Sequence, residues 1–431
     1  MKRRIQGIYI SILIISLAFL NVVLIHMLCK TNKEMQLQIE SNLPSGDYLP
    51  NAKNPKIRVV LLRNGFSGVA HSNVELSAES GFVISYGDKT EEFKKIIFAP
   101  DDFRFQTGNI RIKLIKEKER ITIHSLTRGY GIPSYRGELE LFSTAEGIVI
   151  VNELPVEEYL KAVVPSEMPA SYEIEALKCQ AICARSYAYC QMNTFGYPEY
   201  SAHIDDSVMY QVYGNSLEQE STNYALNETK GEKLWHGKEV VKTYYYSTSS
   251  GHSTSIEAWG SLLTGNNRFL QGREISNENG EAYEKNLPWF QWKAVVPEKI
   301  MENLVELNSG NEIGTLQDII VTKRGVGDVV LQLTIKGTEG QFVVQTENKI
   351  RKTLGGSGYE IEKQDGSIVK STKLLPSAFF TIAKNGGNYI IKGGGYGHGI
   401  GMSQNGANEM AKAGKTYKEI LQFFYPYTEV R

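Results

Sequence analysis

Apolar positions recur along the chain with three different rhythms. From Gly7 to Cys29 they run almost unbroken (GIYISILIISLAFLNVVLIHMLC), with His26 as the one basic side chain and no acidic one. A run of this length crosses the hydrocarbon of a bilayer as a helix. It is longer than a usual signal core, and no small-x-small site follows it. Lys2, Arg3 and Arg4 precede the run, and Lys30, Lys33 and Glu34 follow it. The bias of positive charge predicts a cytoplasmic N-terminus at 1–6, an uncleaved anchor at 7–29 in the cell membrane and an extracytoplasmic remainder. Residues 30–55 are polar, close with SNLPSGDYLPNAKNP and read as a linker.

The second rhythm is alternation. IRVVLL, GFVISYG, KKIIFAP, NIRIKLI, RITIHSL, GELELF and GIVIVN follow one another between Ile57 and Ile150, separated by glycines and polar turns. They predict strands, with a β-rich region over 56–134. The third rhythm is helical. A short helix is expected from Pro155 to Val164, with Pro at its first turn. A longer one follows, with Ser171 as its cap, Glu173 and Glu175 in its first turns, and Ile174, Leu177, Ala181, Ala184 and Ala188 on one face. Strands return from Val240 (VVKTYYYSTSS, IIVTKRGVGDVVLQLTIKG, FFTIAKNGGNYIIKGGG), the last two with Gly-bearing hairpin turns. Helices over 403–413 and 417–424 follow. Helices and hairpins are segregated, so the class is α+β: a single transmembrane helix, a β-rich region, then a mixed antiparallel-sheet and helix domain over 135–431.

Composition narrows the function. Apolar residues make up 41% and charged ones 22% of the chain, as in folded proteins. Lys+Arg (47) and Asp+Glu (48) nearly cancel, so no broad basic field exists to hold nucleic acid. Of the four cysteines, Cys179, Cys183 and Cys190 share one helical stretch and cannot staple distant segments. They read as small buried side chains, not as a metal site; Cys29 lies in the apolar run.

Four stretches carry chemistry: VVPSEMPASYEIEALKCQAICARSYAY (163–189), HIDDSVMYQVYG (203–214), YYYSTSSGHST (244–254) and GGGYGHGIGMSQNGA (393–407). The last lacks both the P-loop and the dinucleotide fingerprint; His398 in it is either a strut of a tight turn or a site residue. Ser249 or Ser250 with His252 is a conceivable nucleophile and base, although G-x-S-x-G is absent. Asp205 and Asp206 read as turn caps, or as a second carboxylate; with His203 they are also conceivable metal ligands. Glu167, bracketed by Pro165 and Pro169, is either an anion stabilised at a helix start or a general acid whose pKa apolar neighbours raise.

In this order the four stretches resemble the stage II sporulation protein D family, which includes amidase enhancers. The likeness begins at Tyr135-Arg136-Gly137 and VNELPVEEYLKAVVPSEMP, passes through ALKCQAICARSYAY, QVYG, STSSGH and GYGHGIGMSQNGA, and ends at EILQFFYPY. It implies a bacterial cell-wall enzyme that cuts peptide-stripped peptidoglycan strands as a lytic transglycosylase during forespore engulfment, beside a sporulation amidase and membrane partner proteins. Glu167 falls on the family's catalytic acid, and Arg185 on its helix arginine, expected at the substrate. The other polar residues of these stretches, Gln180, Gln211, Tyr246, Ser249, Ser250, His252, His398 and Gln404, are expected to contact glycan. Family members with zinc hold it through a histidine and two cysteines near the Gln-Val-Tyr motif. Here His203 is present, but Met209 and Tyr210 stand where a cysteine is expected, so neither zinc nor any cofactor is expected. Tyr396 and Asn405 stand where relatives often carry Trp and Tyr, on a loop expected to face sugar.

Overall fold

The computed structural model describes residues 44–431. The anchor expected at 7–29 lies outside these residues. Among those described, no helix is long and apolar enough to cross a membrane. The expected fold, a transmembrane helix followed by two regions in chain order, is therefore corrected to a mixed α+β fold in two interleaved compact units. One unit takes segments up to Ile121 together with Gly137–Pro155 and Gln191–Asp206. The other takes Thr122–Arg136, Val156–Cys190 and Ser207–Arg431. Chain order does not separate them because the strands over 138–155 complete the first unit's sheet before the chain leaves it.

In the first unit, Lys56–Leu61 pairs antiparallel with Gly147–Pro155, which pairs in turn with Glu138–Thr144. Ile110–Leu114 and Val74–Tyr86 extend this sheet, and Ile204–Asp205 adds a parallel edge. Gly147–Pro155 is central and buried at eight of its nine positions, so its reading as GIVIVN without alternation is that of an enclosed strand. Arg58 is buried among apolar neighbours because Glu140 and Glu153 meet its guanidinium at 2.6 and 2.5 Å.

The second unit contains helices α1 (Val156–Glu167), α2 (Ile174–Gln191), α3 (Glu220–Glu228), α4 (Glu298–Ser309), α5 (Glu347–Leu354), α6 (Gln404–Lys412) and α7 (Tyr417–Phe424). One core gathers Leu177, Ile182 and Cys183 of α2 with Met410 of α6 and Leu421 of α7. A second core lies in the 292–393 segment, between a five-stranded sheet and helices α4 and α5. Pro155 ends a strand and does not open α1. Helix α2 starts at Ile174 without Ser171 as cap; the Glu173 N–H is satisfied by Asn408 Oδ1 at 2.9 Å. The two final helices match expectation. Ser403 caps α6, and Thr416 with Glu419 closes a capping box on α7. Cys179 and Cys183 are fully buried, and Cys190 donates to the Val240 carbonyl at 3.3 Å.

Candidate functional site

Pro169 dictates where Glu167 stands. A proline disfavours helical backbone in the residue before it, so α1 stops at Glu167, two positions ahead. Glu167 is therefore the C-terminal residue of a helix, and the alternative of an anion stabilised at a helix start falls. The partial negative charge of a helix C-terminus favours the protonated carboxyl. Burial acts in the same direction and more strongly, raising the Glu167 pKa to about 7 against hydrogen bonds from Val212 N–H and the Tyr245 side chain. No cation and no second carboxylate figures among the groups that move it.

Each residue of Gln211-Val212-Tyr213-Gly214 has a distinct task around this carboxyl. The Val212 N–H donates to Glu167 Oε1 at 2.7 Å. Gln211 donates from Nε2 to the Tyr245 hydroxyl at 3.3 Å and accepts from Tyr159 at the same distance. Tyr213 packs on Tyr159 with ring centroids 4.8 Å apart. Gly214 turns at φ 70°, where a Cβ would lie 2.7 Å from the Tyr135 ring. The loop is pinned to α1 by Ser166, whose Oγ accepts from the N–H groups of Asn215 and Ser216 at 3.1 Å.

The glycine-rich stretch supports the same carboxyl from another direction. His398 Nδ1 accepts from the Ile400 N–H at 3.0 Å, which leaves Nε2 to donate to the Tyr245 carbonyl at 2.9 Å. Burial lowers the His398 pKa to about 3, so the ring is a neutral strut. Tyr245–Tyr246 pairs parallel with Met402–Ser403, and Gly401 at φ 78° lets the chain pass the Tyr244 carbonyl, which a Cβ would meet at 2.0 Å. Gln404 then donates from Nε2 to the Glu167 carbonyl at 3.0 Å and to Gln180 Oε1 at 3.2 Å. The structure thus brings Gln180, Gln211, His398 and Gln404 together around Glu167, in supporting positions.

The remaining candidates lie elsewhere. Arg185 is fully buried and held by Glu157 at 2.7 and 2.9 Å and by the carbonyls of Glu232 and Leu226. The expectation that it contacts substrate is corrected: its guanidinium is enclosed by protein. Tyr246 is buried and packs against His398 with centroids 5.6 Å apart, while the side chain that bonds Glu167 is that of the neighbouring Tyr245. The Ser249 hydroxyl donates to Glu284, which also accepts from Ser249 N–H at 2.8 Å and Ser403 Oγ at 2.8 Å. No hydrogen bond joins His252 to Ser249 or Ser250 among the described residues, so no serine–histidine dyad forms. Ser250 and His252 line a cleft of 640 Å³ with Trp292 and Lys293, and none of the residues around Glu167 borders it.

Asp205 accepts from the Tyr197 hydroxyl at 2.6 Å and Asp206 from the Leu62 N–H at 3.0 Å, so both act within the first unit's framework. His203 has both ring nitrogens engaged, Nδ1 by the Arg58 N–H at 3.0 Å and Nε2 by the Tyr48 carbonyl at 3.3 Å. Met209 is exposed, and among the described residues no trio of His, Cys, Asp or Glu is placed to hold a metal. These residues do not fit a zinc site.

Tyr245 and Glu284 escape sequence reasoning. One is the middle of three tyrosines, and the other sits in ENGEAYEKN, which reads as a solvated loop. Glu284 is fully buried, and its pKa also rises to about 7 through desolvation.

The Glu167 pKa carries a stability signature. In the unfolded chain the carboxyl titrates at about 4.3. Rising pH therefore costs the folded state stability between there and about 7. Glu167→Gln, which cannot ionise, is expected to match wild type near pH ~4 and exceed it by about 2 kcal/mol near pH ~8, after discounting for partial exposure. Urea titrations at both values check this; a pH-independent difference would assign the effect to packing.

Comparison with known proteins follows the same outline. The family described as Stage II sporulation protein matches residues 144–236, and a domain of unknown function matches 264–401. The chain is 32% identical over 292 residues to the amidase enhancer of Bacillus subtilis, covering 62% of this chain and only 40% of that protein. It is 29% identical over 297 residues to stage II sporulation protein D of Bacillus subtilis, covering 65% and 75% of the two chains. An uncharacterized protein of Brachyspira hyodysenteriae is 30% identical over 296 residues, 68% of this chain and 70% of the other. The chain belongs to the stage II sporulation protein D family.

Proposed function

We propose that the protein is a peptidoglycan glycan-strand lyase of sporulation-related cell-wall remodelling, with Glu167 as its acid and base. It would cleave the MurNAc–GlcNAc bond of peptide-stripped strands to 1,6-anhydro ends. The observation that carries this reading is the solitary carboxyl held at about 7 with no second carboxylate acting on it. Glycosidases that use water rely on two carboxylates, one for the leaving group and one for the water or the sugar. A lytic transglycosylase manages with one. Glu167 gives its proton to the glycosidic oxygen as the bond to C1 breaks. The resulting carboxylate takes the proton of the muramoyl C6 hydroxyl while O6 closes on C1. Glu167 ends as it began, and no water is consumed. An acid near pKa 7 is protonated often enough at neutral pH to donate and basic enough afterwards to accept.

The test is product analysis of the full-length protein acting on peptide-free strands. Mass spectrometry is expected to find 1,6-anhydro ends; ordinary reducing ends alone would overturn the reading in favour of a hydrolase. A second reading, a non-catalytic glycan-binding activator of a cell-wall amidase, is favoured by the match to the amidase enhancer. It predicts strands left intact by wild type while amidase turnover rises.

Tyr245 tunes the acid in this reading. Its hydrogen bond favours the carboxylate, so Tyr245→Phe raises the pKa further. The alkaline fall in rate is then expected at higher pH than in wild type. A pH–rate profile of both proteins decides, and an unmoved alkaline limb would remove Tyr245 from the acid's environment.

A further inference from the structure

The second unit carries a cleft that the chemistry at Glu167 does not use. It has a volume of 510 Å³ and is walled by Trp289, Tyr396, Arg351, Lys370 and Lys373 over an apolar floor that includes Leu375. Two features of its lining point to one kind of ligand. The first is an exposed aromatic ring on a firm backing: Tyr396 is 40% exposed and packs on Trp289 with centroids 4.7 Å apart, while Lys363 covers the Trp289 ring at 5.2 Å. A flat ring open to solvent takes the apolar face of a sugar, and a tyrosine adds a polar edge. The second is charge. The lining holds three cations and no carboxylate. Lys370 and Lys373 form no ion pair among the described residues. Arg351 engages Nε with the Leu375 carbonyl at 2.9 Å and Nη1 with Glu347 at 3.3 Å.

The cleft is also tied to the machinery around Glu167. Gly395 N–H donates to the Trp289 carbonyl and Gly397 N–H to the Pro376 carbonyl, both at 2.8 Å. Tyr396 exchanges backbone bonds with Thr248 at 2.8 and 3.0 Å. Two residues later the same segment supplies His398, whose ring holds the Tyr245 carbonyl. Arg351 is close enough for its charge to act on that ring. A ligand on Tyr396 therefore rests on the segment that orients the acid's partner.

We propose that this cleft is a subsite for an anionic aminosugar: a muramoyl residue with its lactyl carboxylate free, lying face-on to Tyr396, which Trp289 backs, with the carboxylate turned to Lys370 and Lys373. The assignment rests on the glycan-strand reading of the protein. It supplies a physical basis for preferring stripped strands, because removing the peptide exposes one carboxylate per muramoyl unit where the amide was neutral.

The test is binding without turnover. The full-length protein carrying Glu167→Gln is titrated calorimetrically with a peptide-free muramoyl tetrasaccharide and with tetra-N-acetylchitotetraose, which has the same rings and no carboxylate. The anionic ligand is expected to bind about tenfold more tightly, with the difference shrinking as salt rises. Adding Lys370→Gln and Lys373→Gln together is expected to abolish the difference. Tyr396→Ala is expected to weaken both ligands about tenfold, and Tyr396→Trp to restore them, which separates lost stacking from lost folding. Equal affinity for the two ligands, or unchanged affinity after the lysine or Tyr396→Ala substitutions, would overturn the subsite. Failure of the lyase reading shows differently: wild type would leave strands uncut while these affinities still depended on Lys370, Lys373 and Tyr396.

Discussion

Glu167→Gln is expected to lower the rate of 1,6-anhydro product formation about a thousandfold, the middle of the range for loss of a general acid. The substitution is conservative where structure is concerned. A glutamine Oε1 still accepts the Val212 N–H bond that the carboxylate now takes at 2.7 Å, and the Gln404 contact is to the Glu167 backbone. What disappears is the proton. Wild-type rate is expected to hold below about pH 7 and fall above it, following the protonated fraction of a carboxyl at about 7. Glu284, the other carboxyl near that value, is fully enclosed by its serine donors and reaches no substrate. Residual activity within tenfold of wild type would therefore place the acid outside the groups described. Loss of cleavage with folding and strand binding intact would assign the chemistry to Glu167.

Arg185→Met is expected to destabilise the protein by about 3–5 kcal/mol, the cost of breaking a buried ion pair from one side. The guanidinium has no exposure; its Nε and Nη2 meet Glu157, and its other contacts satisfy the carbonyls of Glu232 and Leu226. Methionine fills the aliphatic path but leaves these acceptors without a donor, and an unpaired buried acceptor is costly in itself. Glu157 keeps a partly exposed side chain, which pulls the expectation toward the lower bound. Urea unfolding measures the loss, and KM per folded molecule is expected to stay at the wild-type value. Unchanged stability with a raised KM would return Arg185 to the substrate.

These two residues mark how far sequence reading reaches. For Glu167 the residues left a helix-start anion and a general acid open; apolar Val163, Val164 and Met168 made shielding of the carboxyl legible, but not its place at the C-terminal end of α1. The terminal helices were legible as elements at 403–413 and 417–424, and the structure adds what fixes their starts, Ser403 as cap and the Thr416–Glu419 box. Arg185 was not, since nothing within one turn of α2 reveals that Glu157 and two distant carbonyls close over it. Which tyrosine of 244–246 meets the acid depends on parallel pairing with Met402–Ser403, a register set by tertiary contact. Glu284 shows the limit most plainly. Its local sequence is polar and glycine-bearing, and only the convergence of Ser249 and Ser403 makes it a buried junction.

The bond from Gln404 to the Glu167 carbonyl spans 237 positions, and the Tyr245 strand finds its partner at Met402–Ser403. During synthesis α1 leaves the ribosome long before these residues exist. A growing chain that has passed Glu167 thus holds a carboxyl without the strut, the paired tyrosine or the enclosing loop that lift its pKa. In water it titrates as an ordinary glutamate and is ionised at neutral pH. Completion of the chain as far as the start of α6 is what raises it, so a truncated product carries Glu167 without the surroundings that lift its pKa.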